Sequence, residues 1–131
     1  MSKPVLLCVD DEIVVLQSLK TQLKAAFGND YLYEVAEDAE DALELINELN
    51  EEQTSIILIV SDWLMPGMKG DEFLIRVHEK FPNVVKIMLT GQADEAAIAR
   101  AKEQANLHDC LFKPWSEEEL VETIKLGLVK L

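Results

Sequence analysis

The chain has 131 residues, enough for one domain with a sizeable core and too few for a second of ordinary size, so residues 1–131 are read as a single domain. Twelve Lys and Arg stand against 25 Asp and Glu, a net charge of −13, which argues against duplex DNA as a direct partner because affinity for its phosphates comes mainly from cations. No apolar run approaches the roughly 20 residues of a membrane-spanning helix, and Met1-Ser2-Lys3-Pro4 leads into a strand pattern with no signal-peptide core, so a soluble cytoplasmic protein is expected.

Val5-Leu6-Leu7-Cys8-Val9 is short and wholly apolar, the pattern of a strand buried on both faces, and it stops at Asp10-Asp11. Ile13, Leu16, Leu19, Leu23 and Phe27 then repeat at three-to-four spacing, which predicts an amphipathic helix closing at Gly28-Asn29-Asp30. Tyr31 to Ala36 reads as a second strand, and Asp38 as the cap of a helix striped by Ala42, Leu43, Ile46 and Leu49 with an acidic, solvated outer face. Ile56-Ile57-Leu58-Ile59-Val60 is a second fully apolar run, and after Ser61 it stops at Asp62.

The loop Leu64-Met65-Pro66-Gly67-Met68-Lys69-Gly70 precedes a helix striped by Phe73, Leu74, Val77 and Phe81 and stopped before Pro82. Val84 to Leu89 predicts a fourth strand ending at Thr90. The next helix, near Ala93 to Lys102, is striped mostly by alanine; it buries little surface and is the element best suited to movement. Cys110 to Phe112 form a fifth strand ending at Lys113, and Ser116 with Glu119 make a capping box for a helix striped by Leu120, Ile124 and Leu128.

Five strands alternating with five helices call for an α/β fold with a doubly wound parallel sheet covered on both faces. Right-handed crossovers and one reversal of winding give the flavodoxin-like strand order 2-1-3-4-5. Cys8 and Cys110 then lie on strands that are not neighbours, and two reduced thiols are expected. The reversal falls between strands one and three, so Asp10, Asp11 and Asp62 meet at the carboxyl edge of the sheet, with Thr90 and Lys113 beside them.

Three carboxylates so close repel by several kcal/mol unless a cation or protons relieve them, which implies a hard divalent metal. Asp11 and Asp62 can offer oxygens to Mg²⁺, and Asp10 can act through a metal-bound water. Lys113 supplies a point positive charge, while Thr90 and the loop amides supply donors for a phosphoryl oxygen. Asp62 remains as nucleophile, since carboxylates form acyl phosphates.

From about Lys3 to Leu131 the chain resembles the receiver domain of two-component response regulators. The likeness rests on Val9-Asp10-Asp11-Glu12 after the first strand, the acceptor loop Ser61-Asp62-Trp63-Leu64-Met65-Pro66-Gly67-Met68-Lys69-Gly70, the switch segment Leu89-Thr90-Gly91, and Lys113-Pro114. It implies a phosphorylation-dependent switch in a phosphorelay. Asp62 would accept phosphate from the phosphohistidine of a histidine kinase or phosphotransfer protein. Asp11, Asp62 and the Leu64 backbone carbonyl would ligate Mg²⁺, or Mn²⁺, with Asp10 behind them, and Thr90 and Lys113 would hold the phosphoryl group.

The resemblance further implies no enzyme activity beyond the domain's own phosphotransfer and autodephosphorylation. It also implies a cis Lys113-Pro114 bond, for which proline lowers the penalty to about 0.5–1 kcal/mol, a shift of the fourth helix, fifth strand and fifth helix that controls an output domain or effector protein, and, in many members, homodimers through those two helices. Cys110 stands where such receivers usually carry an aromatic ring. Leu64 and Gln92 occupy positions that tune phosphoryl lifetime in the family, and Trp115 joins Thr90 and Cys110 on the output side.

Several of these residues have simpler roles open to them. Trp63, Met65 and Met68 are expected as loop cover, Trp115 as packing at the sheet edge, and His78 and His108 as structural, since neither falls in a catalytic order with a serine or cysteine. A phosphatase of the haloacid dehalogenase type would place a spaced acid pair after strand one beneath a cap domain, but here the acids are adjacent and no cap fits the length. Flavin binding would want a hydroxyl- and glycine-rich loop where this chain has acids.

Overall fold

The computed structural model describes residues 3–91 and 95–131. Its elements are β1 (Val5–Val9), α1 (Ile13–Phe27), β2 (Leu32–Ala36), α2 (Ala39–Glu51), β3 (Ile56–Asp62), α3 (Gly70–Lys80), β4 (Val85–Thr90), α4 (Glu95–Gln104), β5 (Asp109–Phe112) and α5 (Glu117–Val129). All strand pairs are parallel, in the order β2-β1-β3-β4-β5. This is the doubly wound order expected from the alternation of patterns.

Local chemistry accounts for most boundaries. A 3-10 turn at Gly28–Asp30 closes α1, where Gly28 takes φ 64, a conformation costly for a side chain; it delays β2 to Leu32, while Tyr31 packs edge-on against Phe27 with centroids 6.1 Å apart. The Asp38 carboxylate accepts from the Asp41 N–H at 2.8 Å to start α2, and the Ser116 hydroxyl accepts from the Glu119 N–H at 3.0 Å to start α5. α4 runs on to Gln104 before Asn106 turns the chain at φ 52. The expected start of this helix at Ala93, like Gln92, lies outside the described residues.

Because every residue of β1 is buried and side chains alternate along a strand, the sheet feeds two cores. Leu7, Val9, Ile59 and Met88 face α2, α3 and α4, where Phe73, Leu74 and Val77 fill the space. Leu6, Cys8, Leu58, Val60, Ile87 and Leu111 face α1 and α5 and pack on Leu16, Leu19, Leu23, Leu120 and Ile124. Each such leucine is worth about 1.5–3 kcal/mol relative to exposure. α4 buries only alanines, Ala97 and Ala101, and is the most lightly anchored helix by that measure. The glycine at 127 lets α5 lie close to the sheet, since a Cβ there would stand 2.8 Å from Val85 Cγ1.

The register aligns the carboxyl ends of the central strands. Val9 pairs with Ser61, Asp62 with Leu89, and Thr90 with Phe112. Asp10, Asp62, Thr90 and Lys113 are therefore presented along one edge. Cys8 and Cys110 are both free, as expected from the strand order, and burial pushes the Cys8 thiol up to about 12, which keeps it protonated and inert.

One charged side chain sits inside the α2–α4 core. Lys86 of β4 is 1% exposed, its ammonium donates to the Val84 carbonyl at 2.6 Å, and burial lowers its pKa to about 8. A cation with a depressed pKa withholds stability at neutral pH, and stability grows as pH climbs from about 8 towards the ordinary 10.5. Lys86→Met is accordingly expected to raise the unfolding free energy by about 1–3 kcal/mol near neutral pH. Denaturant melts across the pH range should show that gain shrinking above about pH 9.

Candidate functional site

The acids that end β1 and β3 enclose one small space. Ligand-bearing oxygens of Asp10, Asp11 and Asp62 lie within 4.8 Å of one another, with Asp10 and Asp62 buried and Asp11 exposed. The space opens into a depression of about 530 Å³ lined by Asp11, Asp62, Trp63, Leu64, Thr90 and Lys113. Five residues nominated from the sequence, with Leu64 at the rim, thus converge at one open edge.

Lys113 is the internal counter-ion. Its ammonium lies 2.9 Å from Asp10 Oδ2 and 3.2 Å from Asp62 Oδ1. Asp10 uses its other oxygen to accept the Glu12 N–H at 2.8 Å, so both of its oxygens are occupied from within the chain. Burial alone would lower the Lys113 pKa, but its hydrogen bond and charge contact with Asp10, followed by those with Asp62, raise it. Lys113 is followed by a cis bond to Pro114, and its backbone N–H donates to the Thr90 carbonyl at 2.8 Å, tying the ends of β4 and β5 together.

One ammonium among three carboxylates leaves two negative charges uncompensated. The deficit registers on Asp62, whose pKa rises from 3.8 to about 6, first through burial and then through Asp10, against the opposing pull of Lys113. A divalent cation matches both the charge and the donor set, since hard ions of this class take carboxylate and carbonyl oxygens. Asp11 and Asp62 can reach it directly, whereas Asp10 is engaged by Lys113 and Glu12.

The loop after Asp62 is fixed by backbone contacts. The Trp63 N–H donates to the Leu89 carbonyl, and the Trp63 carbonyl accepts from the Gly70 N–H, both at 2.8 Å. Gly70 packs so tightly on this turn that a Cβ would overlap the Asp62 carbonyl and stand 2.8 Å from the Trp63 Cα. Trp63 is buried, as are Met65 and most of Met68, which agrees with their expected role as cover. Leu64 is half-exposed at the rim.

The remaining nominated residues sit away from the acids. Cys110 is half-buried beside Met88 and packs on the α2–α4 core. Trp115 packs on the α1–α5 core and donates its indole N–H to Gln22 of α1 at 2.8 Å. Neither histidine reaches the site: His108 Nε2 is 3.0 Å from the Thr123 carbonyl of α5, and His78 lies on α3. Two features went unnoticed in the sequence. Phe112, half-exposed, is the register neighbour of Thr90, and Asp71, nearly buried at the start of α3, holds the Trp63 indole. Position parity along β5 would have exposed the first; the second depends on a loop conformation.

The family model of the response regulator receiver domain matches residues 6–125. The chain belongs to that family. Over 125 residues it is 36% identical to a transcriptional regulatory protein CpxR homolog of Haemophilus influenzae, covering 95% of this chain and 49% of that protein. The hydrogenase transcriptional regulatory protein HoxA of Bradyrhizobium diazoefficiens is 32% identical over 125 residues, covering 92% of this chain and 23% of that one. The chain therefore spans less than half the length of these curated relatives.

Among solved structures, the signal receiver domain of an HD domain-containing protein from Pseudomonas fluorescens superposes with a TM-score of 0.86 at 31% identity, covering 98% of this chain and 96% of that one. A CheY-like response regulator receiver domain protein from Methanospirillum hungatei gives a TM-score of 0.85 at 30% identity, with the same coverage of 98% and 96%. A receiver domain is a signalling module of two-component systems rather than a conventional enzyme. Among the described residues, no helix of this receiver is long and apolar enough to cross a membrane.

The raised pKa of Asp62 has a measurable consequence in this receiver. Ionised Asp62 is disfavoured in the folded state, so its contribution to stability is full below about pH 4 and is lost as pH rises through about 6. Asp62→Asn, which cannot ionise, should exceed the metal-free wild type by about 1–3 kcal/mol at neutral pH. Urea melts of both proteins with chelator present should show this gap closing as pH falls towards about 4.

Proposed function

We propose that this receiver is a phosphorylation-dependent switch in which Asp62 accepts a phosphoryl group from the phosphohistidine of a histidine kinase or phosphotransfer protein. The observation that carries the reading is the meeting of Asp10, Asp11, Asp62 and Lys113 within one small space at an open sheet edge. An Asp62 carboxylate oxygen attacks phosphorus, the phosphorus–nitrogen bond breaks, and the imidazole nitrogen leaves with the bonding pair. With the donor ring's other nitrogen protonated, an acyl phosphate on Asp62 and a neutral histidine on the donor result. In the slow reverse of the signal, water attacks the same phosphorus and releases inorganic phosphate.

The chain's own groups divide the work. Lys113 holds Asp10 and Asp62 in place and moves its charge onto a phosphoryl oxygen as the new anion forms. Thr90, at the end of β4, offers its hydroxyl to another of those oxygens. Mg²⁺, or Mn²⁺, would be held by Asp11, Asp62 and the Leu64 backbone carbonyl with Asp10 behind them, and when bound it supplies the positive charge that lets carboxylate and phosphoryl group approach. The open depression admits a donor side chain, which an enclosed pocket would refuse.

Phosphorylation adds about one to two negative charges at this edge. Thr90 responds first, and the change spreads to α4, β5 and α5, with Cys110 and Trp115 on the output side. An output domain or effector protein reads that surface. Exposed Leu126 and Val129 on α5 give it apolar area to bury against such a partner or a second copy of the chain. Direct binding to nucleic acid and attachment to a membrane form no part of this reading.

Incubated with acetyl phosphate and Mg²⁺, the wild-type protein is expected to gain one hydroxylamine-sensitive phosphoryl group by intact mass, and Asp62→Asn to gain none. An equal adduct on Asp62→Asn would place the acceptor elsewhere, and turnover of many phosphoesters would mark a phosphatase instead.

A further inference from the structure

Trp63, Asp71 and Arg100 form a chain of polar contacts that runs from the acceptor turn to α4. The Trp63 indole N–H donates to Asp71 Oδ1 at 3.1 Å, and Asp71 Oδ2 lies 3.3 Å from Arg100 Nη1. Each carboxylate oxygen thus serves a different element. Asp71 is only 7% exposed, and a buried carboxylate with two specific partners is held more firmly than one facing water. The Lys69 ammonium lies over a face of the indole, 5.1 Å from its centroid.

This chain is mechanically continuous with the acceptor. Trp63 is joined to Asp62 by one peptide bond, and Gly70, which precedes Asp71, packs directly on the Asp62 carbonyl and the Trp63 Cα. With no Cβ at 70 to hold the segments apart, the turn after Asp62 and the start of α3 lie in direct backbone contact. At the far end, the fully buried residues of α4 are two alanines, with Ile98 only partly buried beside them, so a directed ion pair from Arg100 weighs heavily in setting where the helix sits.

We infer that Asp71 is a positioning residue that couples the acceptor turn to α4: a change at Asp62 is delivered through the Trp63 indole and the Arg100 guanidinium to the helix surface. The inference rests on the acceptor role proposed for Asp62 and names the route by which that role reaches the surface. It assigns the tryptophan after the acceptor a signalling contact in addition to its packing.

The test uses beryllofluoride with Mg²⁺ as the probe and nuclear magnetic resonance as the readout. In wild type, the probe should shift the Trp63 indole N–H and the backbone amides of α4. In Arg100→Ala, an exposed position whose loss the fold tolerates, the Trp63 shift should persist and probe affinity should stay within about twofold, while the α4 shifts fall to about half or less. Asp71→Asn should weaken both the indole and the α4 responses, and Arg100→Lys should restore part of the α4 response, which a purely packing role would not produce. Full α4 shifts in both Arg100→Ala and Asp71→Asn would overturn the relay. Absence of any probe response in wild type would instead overturn the acceptor reading on which the relay depends.

Discussion

Lys113 lies between Asp10 and Asp62, and this three-membered ion cluster sets the character of the whole edge. Burying two carboxylates is tolerable only when their charge is answered nearby, and the desolvation cost of such groups runs to several kcal/mol each. A single ammonium answers two anions in part, and Asp11 adds a third. The protein is left with a shortfall of positive charge where β1 and β3 diverge, and Asp62 carries the strain as a raised pKa. A structural salt bridge would have been balanced; this one leaves a charge deficit of the kind the proposed cation would fill.

Everything else in the fold serves to hold that imbalance in place. The parallel sheet brings strand ends from positions more than a hundred residues apart to one line, as Asp10 and Lys113 illustrate. Two apolar cores fix the strands from either face, and Gly70 lets the acceptor turn close on the start of α3. α4, whose fully buried residues are alanines, is the most lightly packed of the helices that cover the sheet.

The order of elements was legible because each strand is a short apolar run and each helix has a clean stripe, and the topology followed from crossover handedness. The acids could be assigned to one edge for the same reason: Asp10-Asp11 stop one apolar run and Asp62 stops another. Boundaries shifted where local turns intervened, as at Tyr31, or where a strand continued into polar residues, as β3 does through Ser61 and Asp62. What could not be read were contacts set by side-chain direction. Asp71 and Arg100 are 29 positions apart on different helices, and the burial of Lys86 follows only from its strand being covered on both faces.

Paramagnetic Mn²⁺ gives the most direct test of the central claim, that the uncompensated charge at this edge is a specific divalent site around the acceptor. With a net charge of −13, the protein offers many places for a cation to linger. The account predicts that substoichiometric Mn²⁺ selectively broadens the amide signals around Asp10, Asp11, Asp62 and Leu64, and that Asp11→Asn removes the effect. Broadening spread instead along the acidic face of α2, or unchanged by Asp11→Asn, would contradict it.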